Sequence, residues 1–350
     1  MNNQEYWRQR TLLLNEKLND TSVEFFHELE RAYNKAANET EKEILKFYTR
    51  FATENGITLT EAKRLLTTKE LDEFKWTLDD YIKYANENTV SGNWVKQLEN
   101  ASLRYRISRL EAMKIAMQNQ VEVLMGHEAD VLSRLMENIY TESYYRTAHM
   151  IQTGLGVGSS FAKIDSTRVS KVLAKPWVAD GLNFSERIWG KHRPELIHRL
   201  HTGLTQSIIR GDNPQKLVNK IAKEFDVSKG KASNLVFTES AYFGNVAQQE
   251  CYSELNVEYQ EFCATLDLKT SEICQEMDGR VFKSSDIKIG ENAPPLHCRC
   301  RSCMVPYFED NVKERVARDP KTGKSVYIKG DLSYKEWRKL YVDDNLQNHK

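Results

Sequence analysis

The sequence predicts a mainly α-helical protein with a small C-terminal α+β module, an elongated helical body joined to a compact module that zinc would clip. Three observations carry this reading. Apolar residues recur at helical spacing through about the first 155 positions. Strand and turn signals begin only near residue 256. All six cysteines fall between Cys251 and Cys303, inside or beside that second regime. The expected regions are 1–155, long helices; 156–255, a helical middle; and 256–350, the α+β module with the Cys/His cluster.

In the first region Thr21-Ser22-Val23-Glu24 has the pattern of a capping box, which would open a helix. Phe26, Leu29, Tyr33, Ala36, Ile44, Tyr48 and Phe51 then follow at roughly helical spacing, and Asn55-Gly56 supplies a left-handed stop. Thr58-Leu59-Thr60-Glu61 and Thr67-Thr68-Lys69-Glu70 open two more helices, the latter carrying Leu71, Phe74, Leu78 and Ile82. Two proline-free stretches, Trp94 to Met125 and Glu128 to Ile151, predict long helices. Gly154-Leu155-Gly156-Val157-Gly158 breaks the pattern. It lacks the Gly-Lys-Ser/Thr ending of a phosphate loop and reads as a hinge.

Shorter helices are expected at Thr167–Ala174, around Phe184–Trp189, at Pro194–Ile209 and at Pro214–Phe225, the last entered through the Gly211-Asp212-Asn213-Pro214 turn. A further helix, Ser228–Leu255, has a suspected interruption near Gly244. Val257–Leu266 then reads as a strand, and Asp278-Gly279 as the turn before a second strand at Val281-Phe282. Ser325–Ile328 is a last strand candidate, and Ser333-Tyr334-Lys335-Glu336 opens a terminal helix bearing Trp337.

Composition limits function. Of 350 residues, 50 are Lys or Arg and 50 are Asp or Glu, so the chain lacks the basic excess of a dedicated nucleic-acid binder. Its beginning, Met1-Asn2-Asn3-Gln4-Glu5, has no basic stretch followed by an apolar one, and no run approaches the eighteen or so apolar residues of a membrane span. The expectation is synthesis in a cytoplasm, without a membrane anchor.

The densest chemistry is Cys274 followed by Pro294-Pro295-Leu296-His297-Cys298-Arg299-Cys300-Arg301-Ser302-Cys303. Thiolate and imidazole are the donors that tetrahedral zinc prefers. The expected metal ligands are Cys274, His297, Cys300 and Cys303, with Cys298 or Cys263 as substitutes. The competing reading is a set of reduced thiols with no metal. Other groups are weaker. His198 and His201 share a helix face without a companion carboxylate pair. Tyr140, Tyr144 and Tyr145 suit helix packing better than stacking on DNA. Lys324, Lys329, Lys335, Arg338 and Lys339 read as a solvated face. No nucleophile–base arrangement emerges, so no catalytic residue is expected.

Phe262-Cys263-Ala264-Thr265-Leu266-Asp267, then Thr270, Cys274, Asp278-Gly279, Val281-Phe282 and Pro294-Pro295-x-His297-x-x-Cys300-Arg301, resembles the phage head-morphogenesis family. The F protein of phage Mu and other portal-associated minor head proteins belong to that family. Thr238-Glu239 and Gly211 before Pro214 are similar to its helical region. Two positions depart from the pattern: Ser271 stands where members often have a first cysteine, and Ser302 where they often end Cys-Arg-Cys, with Cys303 one residue later. The resemblance implies a minor head (capsid) protein of a tailed phage, made in the bacterial host cytoplasm and placed in the virion at the head interior or portal region. Its implied partners are the portal protein, scaffold or major capsid protein, with DNA in the head as a further contact and delivery with DNA at infection as a further role. The alternative is a metal-dependent nuclease acting at packaging.

Overall fold

The computed structural model describes residues 3–54, 109–155, 161, 163–178, 180–210, 212–265 and 270–308. Three long helices dominate: α1 (Asn3–Glu54), α2 (Arg109–Leu155) and, following α3 (Ser166–Leu173), α4 (Phe184–Arg187) and α5 (Arg193–Arg210), α6 (Pro214–Glu254). A five-residue π-helix, Ile188–His192, joins α4 to α5. No helix among the described residues is long and apolar enough to cross a membrane.

Several helices are longer than the sequence suggests, for identifiable reasons. Thr21 and Ser22 do not cap a helix start. Inside α1 their hydroxyls donate to the carbonyls of Lys17 (3.1 Å) and Leu18 (3.0 Å), one turn back, so the polar pair is satisfied without ending the helix. The expected break between Met125 and Glu128 is absent, and α2 runs through Gly126 and His127. The helices expected at Pro214–Phe225 and Ser228–Leu255 are likewise one. Gly244 does not interrupt it. A Cβ there would lie 3.4 Å from the Ser143 hydroxyl and 3.7 Å from Ile139, ordinary contact distances, so the position packs against α2 without a break. Asn55-Gly56, the helix candidates between 58 and 108, the basic tail, the Ser325–Ile328 strand and the helix bearing Trp337 lie outside the described residues.

The chain divides into two compact units, each assembled from separated stretches. One comprises Phe25–Leu132 and Pro176–Ser233. Its core takes Leu29, Tyr33, Ile44 and Tyr48 from α1 and the four-residue stripe Leu196, Leu200, Leu204 and Ile208 from α5. Polar groups are buried with them. Tyr33 donates to the fully buried Glu128 (2.5 Å) and lies 3.3 Å from the Ser228 hydroxyl. Glu122, also fully buried, receives Arg193 Nε (2.8 Å) and Gln118 Nε2 (3.2 Å). Removing one partner of such a pair strands a charge, which typically costs about 3–5 kcal/mol. Gln118 keeps one bond and Arg193 reaches solvent in part. Arg193→Ala is therefore expected to cost ~2 kcal/mol, read as a lowered urea midpoint. An unchanged midpoint would show that Glu122 is not held by this pair.

The other unit comprises Met1–Glu24, Ser133–Lys175 and Asn234–Lys350. Tyr140, Tyr144 and Tyr145 are core residues of this unit, packed with Val169, Ala247 and Cys251. The hydroxyls of Tyr140 and Tyr144 donate to Glu250 and Glu254. Arg168 on α3 bonds the same two carboxylates and lies 5.0 Å from the Tyr144 ring centre. The aromatic cluster is thus consumed by packing and by one shared ion network.

Burial has a consequence for alkaline stability. It is the largest cause pushing Tyr48 and Tyr242 up to about 12, from an ordinary value of 10.0, and it raises Tyr33, Tyr140, Tyr144 and Tyr252 as well. Folded pKa values lie above unfolded ones, so above pH ~10 the unfolded chain releases protons first and stability falls as pH rises. Tyrosinate absorbance should lag through pH 10–12 and then rise together with loss of helical circular dichroism. Full ionisation near pH 10 with intact helix would contradict this burial.

The C-terminal part of the described chain is a three-stranded antiparallel sheet in the order β2-β1-β3. β1 is Tyr259–Cys263, β2 Val281–Lys283 and β3 Cys303–Tyr307, with a short helix α7 (Glu272–Met277) between β1 and β2. The strand expected from Val257 to Leu266 is thus the shorter β1, and the Asp278-Gly279 turn leads into β2. Gly279 has φ +75°, which only glycine adopts without strain, and its N–H donates to the Phe262 carbonyl at 2.8 Å. The Asp278 carboxylate accepts from the Ala264 N–H at 2.8 Å, tying the turn to the end of β1. Side chains alternate between the sheet's two faces. Cys263, Cys303 and Val305 enter a core with Trp7 and Tyr252. Phe262 and Met304 enter a second core with Cys274, Ala293 and Cys300.

Candidate metal centre

Cys274, His297 and Cys300 come together on the second of these cores. Cys274 sits in the first turn of α7, and His297 and Cys300 in a turn closed by the Cys300 N–H donating to the His297 carbonyl at 3.2 Å. Cys274 Sγ lies 3.3 Å from His297 Nε2 and 3.7 Å from Cys300 Sγ, and all three donor atoms lie within 4.8 Å of one another. Among the described residues this is the one grouping of at least three His, Cys, Asp or Glu donors so placed.

The turn is held from outside. Arg299 takes a left-handed φ of 58°, which costs a non-glycine residue about 1 kcal/mol or more. Two contacts with α6 offset that cost: the Arg299 N–H donates to the Thr238 hydroxyl at 3.1 Å, and its guanidinium lies 5.3 Å from the Phe237 ring centre. The Thr238 hydroxyl donates to the Asn234 carbonyl at 2.7 Å, one turn back, and lies 3.4 Å from Cys298 Sγ. Thr238 therefore positions the turn that carries His297 and Cys300. In the sequence Thr238 stands out only as part of the motif, because the sixty-odd positions to Arg299 give no local signal of contact.

The donor chemistry fits a tetrahedral metal. Nδ1 of His297 lies 2.8 Å from the Cys298 carbonyl, which can only accept, so Nδ1 carries the proton. Nε2 then presents its lone pair to Cys274, the arrangement by which an outer hydrogen bond sets a ligating tautomer. A tetrahedron with metal–sulfur bonds of about 2.3 Å and a metal–nitrogen bond of about 2.0 Å has edges of roughly 3.5–3.8 Å. The two observed separations, 3.3 and 3.7 Å, are near those edges. Burial pushes the Cys300 thiol above its ordinary value, and the neighbouring Cys274 raises it further. A bound cation would reverse that tendency by favouring the thiolate.

Cys303, the fourth expected ligand, is not brought to the group. Three-residue spacing keeps residues on one face only in a helix, and Cys303 is the first residue of β3. It faces the opposite core, directly across from Cys263. Neither expected substitute joins the group either: Cys263 shares the Cys303 face, and Cys298 is exposed beside Thr238. His201 is spent elsewhere: Nε2 lies 3.1 Å from the Lys114 carbonyl, and burial lowers the pKa of the ring. His198 is exposed.

Sequence comparison finds relatives of this chain. The family model described as Phage Mu protein F like protein matches residues 198–305, the stretch from α5 into β3 that contains every residue of the turn. Minor head protein GP7 of Bacillus phage SPP1 is 22% identical over 262 residues, covering 70% of this chain and 84% of that protein. No solved structure gives a match. The two matches support the phage head-morphogenesis family of minor head proteins for this chain, the family its C-terminal motif resembles.

Proposed function

We propose that the chain is a low-copy structural component of a tailed-phage head that works by binding and not by catalysis. The observation that carries this reading is the match to a minor head protein along most of that relative's length, with a family model whose matched stretch takes in the Cys/His turn near its end. Portal protein, scaffold or major capsid protein are the proposed contacts, at the head interior or portal region, with packaged DNA as a further neighbour. In this reading Cys274, His297 and Cys300 hold a structural zinc ion, which would tie α7 to the loop before β3. A metal of this kind supplies folding energy to a small module without taking part in a reaction.

Disrupting the gene tests this role. The expected result is normal synthesis of major capsid protein but at least a tenfold drop in infectious particles, restored by the wild-type chain in trans. Undiminished yield of infectious particles would count against a head role. The nuclease alternative is checked on the same purified protein. Zinc- or magnesium-dependent cleavage of duplex DNA, lost in His297→Ala, would replace the binding role with an enzymatic one.

A further inference from the structure

Cys263 and Cys303 are directly opposed in the antiparallel pairing of β1 with β3. Both thiols are free. Their setting is apolar, among Trp7, Ile151, Tyr252 and Val305. Directly opposed residues on antiparallel strands hold their Cβ atoms about 4.5–5.5 Å apart, and a disulfide needs about 3.5–4.5 Å, so closure asks for a movement of about 1 Å. Cys274 and Cys300 are also close, but they lie on the other face of the sheet and are the proposed metal ligands.

We infer that Cys263 and Cys303 form a redox site, closing to an intrachain disulfide on reaction with a low-molecular-weight disulfide. Cys263 is the attacking thiol. It is the more open of the two, 7% exposed against 0% for Cys303. The Cys263 thiolate attacks one sulfur of the oxidant, forming a mixed disulfide and releasing one small thiolate. Cys303 then gives up its proton and attacks the Cys263 sulfur, expelling the second. Two electrons pass to the oxidant, and the two cysteine protons end on the two released thiols.

The position gives the bond its consequence. Cys263 ends β1 and Cys303 begins β3, so the bond encloses the intervening chain, and with it Cys274, His297 and Cys300. Cross-linking the ends of that segment limits how far it can open in the unfolded chain. The Cys/His turn would then stay assembled in the absence of metal.

The test is incubation of the full-length chain with oxidised glutathione, once zinc-loaded and once after chelation. Alkylation and non-reducing peptide mapping follow. A Cys263–Cys303 linked peptide in both preparations, lost on reduction, is the expected result. Cys303→Ser should instead trap a glutathione adduct on Cys263, a readout that reports the order of attack. A Cys274–Cys300 link alone, or Cys263 and Cys303 both recovered as free thiols from protein with wild-type circular dichroism, would overturn the inference.

Discussion

Cys300→Ser is expected to lower bound zinc from about one ion per chain to near zero, measured by atomic emission on protein purified without chelator. Three donors are already spaced near the edges of a tetrahedron, and the Cys298 carbonyl fixes the His297 tautomer. Metal binding to a small module is folding free energy, of order 10 kcal/mol in isolated zinc-finger peptides. Here part of the order comes from the core of Phe262, Ala293 and Met304, so the module should loosen and not unfold completely on metal loss. Faster proteolysis between α7 and β3 would report that loosening. Cys298→Ser is the control. Its thiol is exposed and outside the donor group, so zinc content should not change. Wild-type protein with a metal ratio near zero would contradict the zinc site.

Trp7→Ala is expected to cost about 3–5 kcal/mol, the range for truncating a large buried aromatic side chain. Trp7 is 1% exposed and packs with Met150, Ile151, Tyr252 and Val257, and its ring centre lies 5.1 Å from that of Phe308. The site has a second, opposite test at Gly154. A Cβ at Gly154 would fall 2.2 Å from the Trp7 ring, so Gly154→Val should be destabilising by overpacking in the wild-type background. Combined with Trp7→Ala, the same valine should cost less than it does alone, because it enters the vacated space. Additive losses in this double-mutant cycle would show that the two positions do not meet.

The Gly154 contact marks the limit of what the sequence discloses. Glycine near a run of glycines reads as a hinge, and only the indole of Trp7, far away near the start of the chain, reveals a packing role. The helical class and the late onset of strands were legible, because periodicity of 3.6 against 2 is a local property. Helix joins were not, because Thr21-Ser22 satisfies its hydroxyls equally well at a cap or one turn back inside a helix. That Cys274, His297 and Cys300 lie together was legible from residue type and spacing. The placement of Cys303 was not, since it depends on which residue begins β3 and hence on the face it presents. Thr238 carried no visible role until the fold brought α6 to the ligand turn.

A place in the phage head is tested by counting the chain in particles. Quantitative mass spectrometry of purified virions and procapsids, normalised to portal protein, is predicted to find this chain at a few to tens of copies per particle. Finding it in the infected-cell lysate but in no particle would contradict the account and bring the DNA-processing enzyme forward in its place.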